Sequence, residues 1–177
     1  MNYCKETDIY YIGEYHSYRI CGEYNPNFSK VNGGYILDLK ENKESGINYY
    51  KKKINEEFRE WDLNDCDIIT IVPSSKQNRV GEGLVSLVKS ISEDYNIEYI
   101  QCLSRNRDVG KKANGGLRSR KLELDTIDAI NIERINGANI LLFDDVTTTG
   151  TSLNATREIL YNNGANKVVC IALGKTV

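Results

Sequence analysis

The run ILLFDDVTTTGTSL, residues 140–153, constrains this chain more than any other feature. Its four leading apolar residues read as a buried strand, so Asp144 and Asp145 stand where that strand emerges from the interior. A short loop of small hydroxyl residues and one glycine follows: Val146, Thr147, Thr148, Thr149, Gly150 and Thr151. Such a loop can fold tightly around an anion, its N–H groups turned inward, and the start of the helix it feeds adds positive potential. The threonine hydroxyls are further donors. The two acids suit a neighbouring polyol, because carboxylates accept hydrogen bonds from vicinal hydroxyls. The pattern predicts a cradle for a phosphate ester carried on a polyol. An ordinary capped helix would need only one of these residues, Thr149 or Thr151 at the cap.

The elements around this run alternate. DIITIV (67–72), IEYIQCL (97–103), ANILLFDDV (138–146) and KVVCIALG (167–174) read as strands. VGEGLVSLVKSISEDY (80–95) and TSLNATREILYNNG (151–164) read as helices, and DAINIE (128–133) as a short strand. Strands alternating with helices predict an α/β fold with a mostly parallel, Rossmann-like sheet covered on both faces. Ligands bind such sheets beyond the carboxyl ends of the strands, in the loops after Val72, Leu103, Phe143 and Leu173.

Composition changes near residue 62. Nine of the 12 tyrosines lie in the first 50 residues. There DIYYIGEY, YRICGEY and GGYILDLK read as short strands broken at Pro26 and Gly33–Gly34. INYYKKKINEEFREW reads as an amphipathic helix, with Ile47, Tyr50, Ile54 and Phe58 at helical spacing. The expected organisation is a small N-terminal β-containing hood over 1–61 and a core over 62–177. The net charge of −2 gives no general attraction to nucleic acid. The five cysteines are scattered with no C-x-x-C pair, which argues against a disulfide framework or zinc site and for a reducing cytoplasm. No apolar run is long enough to span a bilayer, so no membrane is expected.

Two phosphate-handling patterns fail on spacing. A haloacid-dehalogenase-type site needs Asp-x-Asp-x-Thr, and here the acids are adjacent. A Walker A loop needs glycine upstream of Gly-Lys-Ser/Thr, which Gly174-Lys175-Thr176 lacks. The run instead resembles the phosphoribosyl pyrophosphate motif of type I phosphoribosyltransferases, with Asp144, Asp145, Val146, Thr148, Thr149, Gly150 and Thr151 in register. The resemblance covers about residues 66–177. It implies that the acids hold the ribose hydroxyls and that Val146–Thr151 hold the 5′-phosphate. It also implies that Pro73–Arg79 is a pyrophosphate loop, with Ser74 and Ser75 as donors and Lys76 and Arg79 neutralising charge.

The basic stretch 103–121 would be the mobile loop that closes over pyrophosphate. Its Leu103, Arg105, Arg107, Leu117 and Arg120 look like the ComF-type subfamily. The threonine and glutamine of that subfamily's loop are absent, as is its zinc module. By this resemblance Asp144, Asp145, Arg105 and Lys76 are the catalytic residues, and Arg107 joins Arg105 on the pyrophosphate. Mg²⁺ is expected mainly through the ligand, with Asp144 or Asp145 as its protein contact. A base or other nucleophile is the expected acceptor. Tyr10, Tyr11, Tyr15 and Tyr18 are candidates for a base pocket, and His16 is read as a surface residue. A homodimer through the tyrosines and the 45–61 helix is the candidate assembly. A regulatory ligand sensor is the alternative, with a nucleic-acid role resting on residues 105–121 alone.

Overall fold

Alternation along one strand organises the interior. In the strand β9 (Asn139–Thr147), Ile140 and Leu142 point to one face and Leu141 and Phe143 to the other, all buried. A computed structural model describes residues 1–110 and 119–177. Before β9 come β1 (Asn2–Cys4), β2 (Ile9–Tyr15), β3 (Arg19–Ile20) and β4 (Glu23–Tyr24), then a π-helical turn (Lys30–Gly34). They are followed by α1 (Tyr35–Lys40), α2 (Glu44–Phe58), β5 (Ile68–Ile71), α3 (Glu82–Tyr95), β6 (Glu98–Tyr99) and β7 (Leu103–Arg105). The chain continues through α4 (Arg120–Thr126), β8 (Ile127–Ala129) and α5 (Ile132–Ile135) to β9, then α6 (Thr151–Asn162) and β10 (Lys167–Thr176).

The architecture is α/β. Six strands form the central sheet in the order β1-β2-β10-β9-β5-β6, parallel throughout except for the β1 edge. One face carries α6 and the 127–135 segment, with Leu153, Leu160, Ile127 and Ile135 against Ile140, Leu142 and Cys170. The other carries α1, α2 and α3, with Leu39, Ile54, Phe58, Leu87 and Ile91 against Ile69, Leu141, Phe143 and Ile171. Each such side chain contributes about 1.5–3 kcal/mol on full burial.

Four expectations are corrected. Residues 1–61 do not stand apart as a hood. β2 pairs in parallel with β10 inside the central sheet, and Tyr50, Ile54 and Phe58 belong to the same apolar cluster as β5 and β9. The apolar stripe of α2 is therefore consumed within the chain. GGYILDLK is helical, as the π-turn and α1, because so short a segment with Tyr35, Ile36, Leu37 and Leu39 as its apolar residues does not distinguish strand from short helix. The 97–103 strand divides: β6 joins the central sheet, while β7 pairs antiparallel with β8 in a separate ribbon. The helix α4, which the sequence pattern does not predict, takes up only the last residues of the basic stretch; its Ser119 hydroxyl accepts from Leu122 N–H at 3.1 Å. The expected placements at Lys111, Lys112, Leu117 and Arg118 lie outside the described residues.

One close approach sets up the site. Gly83, in the first turn of α3, lies against the Leu39 carbonyl so tightly that a Cβ would overlap it. The C-terminal end of α1, and with it Lys40, is thereby pressed against the sheet's carboxyl edge.

Candidate functional site

The parallel strands diverge in order at β5 and β9. From β5 the chain moves outward to β6; β9 lies on its other side and leads to β10. A crevice at the carboxyl ends of two such strands is where doubly wound sheets bind ligands. Here it is a cavity of about 510 Å³. Its walls are Val72–Ser75 after β5, Asp144–Ser152 at the end of β9 and the start of α6, and Lys40.

The loop from β9 into α6 is a tight turn. Gly150 caps α6 with φ +76, a left-handed conformation that glycine adopts without strain. A Cβ there would also meet Ile9 Cδ1 at 2.8 Å. The Thr147 hydroxyl, buried, accepts from Gly150 N–H at 3.1 Å and closes the turn. Thr148 and Thr149 are exposed to the cavity side; Thr149 shares a hydrogen bond with Thr151 at 2.8 Å, and Thr148 one with Thr176 at 3.0 Å. No side chain caps α6, so its first N–H groups face the loop, where an anion can take them. Asp144 Oδ1 accepts from Asp145 N–H at 2.8 Å, fixing the first acid at the strand end. Asp145 is paired with Lys40, Nζ to Oδ2 3.2 Å. Desolvation works against the Lys40 charge, but the Asp145 carboxylate outweighs it and holds the ammonium above its usual value.

The structure brings together Asp144, Asp145, Val146–Thr151, Ser74 and Ser75 around one cavity. It does not bring the four expected cations there. Arg105 is fully buried: Nε donates to Ser74 O at 2.6 Å, one terminal nitrogen to Thr126 Oγ1 at 2.6 Å, and the other to Glu123 Oε2 at 2.8 Å. Buried and held by these three bonds, Arg105 anchors the Ser74 loop and does not line the cavity. Lys76 is exposed and pairs with Asp108 at 2.7 Å, and Asp108 also accepts from Gln77 N–H at 2.8 Å. Arg79 and Arg107 are exposed and do not line the cavity. Ser74 N–H donates to Arg79 O at 2.9 Å, and Val109 N–H to Ser75 O at 2.8 Å. The 74–79 loop is thus pinned by the start of the basic segment.

The tyrosines are dispersed. Tyr10 packs edge-on against Trp61, Tyr11 lies under Lys175, and Tyr18 meets Tyr24 and Phe28 edge-on. None of these four candidates lines the cavity, and of them Tyr15 alone is coupled electrostatically to Lys40. His16 sits 3.7 Å from Glu14, away from the cavity lining. Lys40 is the residue that sequence reasoning missed. It lies more than a hundred positions from the acids, in a run read as a strand, and nothing in its spacing marks it.

Cys4, at the β1 edge, has a distinctive environment. The Thr7 hydroxyl bonds its sulfur, and Lys175 Nζ lies 3.2 Å away; together they bring the thiol down to about 7. Iodoacetamide should therefore label Cys4 with a rate that rises to half its maximum near pH 7, against about 8.5 for an ordinary thiol. Mass-resolved labelling checks this, and a half-rise near pH 8.5 would contradict it.

No protein-family model matches the sequence. No curated protein matches it either. Among solved structures, the chain is similar to the allosteric regulatory enzyme of purine biosynthesis, at 21% identity and TM-score 0.48 over 76% of this chain and 25% of that one. It is also similar to glutamine phosphoribosylpyrophosphate amidotransferase from B. subtilis, at 22% identity and TM-score 0.46 over 70% of this chain and 26% of that one. A third likeness is to adenine phosphoribosyltransferase from Saccharomyces cerevisiae, at 18% identity and TM-score 0.45 over 76% and 68% of the two chains. The chain spans about a quarter of the length of the first two. Among the described residues, no helix is long and apolar enough to cross a membrane.

Proposed function

We propose that this chain binds phosphoribosyl pyrophosphate and transfers its phosphoribosyl group to a nucleophile, releasing pyrophosphate. One observation carries the reading: a single cavity joins two strand-end carboxylates to an uncapped helix start through a threonine–glycine loop. The loop and the first N–H groups of α6 receive the 5′-phosphate. Asp144 and Asp145 accept from the ribose hydroxyls and hold the ring. As the bond from the anomeric carbon to pyrophosphate breaks, the ring gains positive charge, which the two carboxylates favour. Ser74 and Ser75 donate to the leaving group. Holding both reactants in line supplies much of the acceleration, and no protein nucleophile is needed.

The donor set fits Mg²⁺. Carboxylates are hard oxygen donors, and Mg²⁺ is commonly held by one or two of them plus substrate phosphates. Among the described residues no cluster of three potential ligands stands ready to hold a metal alone, so the ion would be shared with the ligand through Asp144 or Asp145. When bound, it would neutralise pyrophosphate charge.

A second reading, binding without turnover, is favoured by the withdrawal of Arg105 and the pairing of Lys76. Among the described residues lining the cavity, Lys40 alone is basic. Pyrophosphate release separates the two. Incubation with phosphoribosyl pyrophosphate, Mg²⁺ and a panel of purine and pyrimidine bases should release stoichiometric pyrophosphate with at least one base. Saturable binding with no release across the panel would leave the sensor reading.

A further inference from the structure

We propose that Lys40 is a built-in counter-cation for the acid pair: it keeps Asp145 from capturing a divalent ion in the empty crevice, and it screens the crevice for a polyanionic phosphate ester. The inference rests on the functional reading above and adds a positioning residue to it. Two observations converge. The Lys40 ammonium lies 3.2 Å from Asp145 Oδ2, in the cavity wall. Its placement is enforced by backbone, because α1 meets α3 at Gly83 with no room for a Cβ.

Charge balance gives the role. Among the described residues the cavity lining holds two carboxylates and one ammonium. Adjacent carboxylates attract a divalent cation and repel phosphate. An ammonium on one of them weakens both effects: it competes with the metal for that carboxylate, and the phosphate ester meets less negative potential. Lys40 comes from α1 and the acids from β9, so the N-terminal segment and the phosphate loop build the site jointly.

Removing this charge should move the two affinities in opposite directions. In the full chain, Lys40→Ala should bind Mn²⁺ alone several-fold more tightly, read by the electron paramagnetic resonance of free ion. At fixed Mg²⁺ it should bind ribose 5-phosphate about tenfold more weakly. Lys40→Arg should restore both toward the parent. Damage to folding would weaken both together, and that result overturns the proposal, as does no change in either. If the parent itself fails to bind ribose 5-phosphate while the Mn²⁺ shift appears, the functional reading falls and the counter-cation role stands.

Discussion

Replacing Asp144 and Asp145 together by asparagine will abolish binding of phosphoribosyl pyrophosphate while leaving the fold in place. Each carboxylate is assigned charge-assisted hydrogen bonds from ribose hydroxyls, and such bonds contribute roughly 1.5–3 kcal/mol apiece. Losing two therefore lowers affinity by at least about a hundredfold. The fold should survive for local reasons. Both side chains stand at the strand end and are half-buried, outside the apolar clusters. The amide oxygen of asparagine at 144 can still accept the Asp145 N–H that the carboxylate accepts now. The Lys40 pair lost at 145 is partly exposed, and pairs of that kind are worth under about 1 kcal/mol. Calorimetry and a thermal melt on the same sample check both halves. Parent-like binding by the double variant would remove these acids from the site.

The largest stability effect should come from the pair Arg105–Glu123. Both side chains are completely buried. Removing the Glu123 charge takes its carboxylate away from the buried Arg105 guanidinium, and breaking a buried pair in this way costs roughly 3–5 kcal/mol. For a chain of this size that is a fall of about 10 °C in melting temperature. Glu123→Gln should show this fall directly. Arg105→Met should also lower the melting temperature and loosen the Ser74 loop, because its bonds to Ser74 O, Thr126 and Glu123 go with it. A group that served the ligand and not the fold would behave in reverse: an Arg105→Met variant with a parent-like melt and weakened pyrophosphate affinity would return Arg105 to the reaction.

These two experiments also mark where the sequence was legible. The acid–threonine loop is local, contiguous and chemically specific, so its place at a strand end and its union with the Ser74–Ser75 loop could be read directly. The parallel sheet followed from the same alternation. Arg105 was misjudged because a basic residue in a basic segment looks solvated. Its burial depends on Glu123 and Thr126, eighteen and twenty-one positions away, on a helix that composition did not reveal. Lys40 was invisible for a similar reason: only the tertiary contact at Gly83 carries it to the crevice. The N-terminal segment looked separate because its tyrosines change the composition. Yet β2 completes the sheet beside β10, and strand pairing over that sequence separation leaves no local trace.

Titration calorimetry of phosphoribosyl pyrophosphate against the parent chain, with and without Mg²⁺ and beside ribose 5-phosphate and pyrophosphate, tests the central claim most directly. The site described predicts saturable, Mg²⁺-dependent binding that loses most of its affinity when either half of the ligand is removed. Folded protein that takes up no heat with phosphoribosyl pyrophosphate at any Mg²⁺ concentration would contradict it.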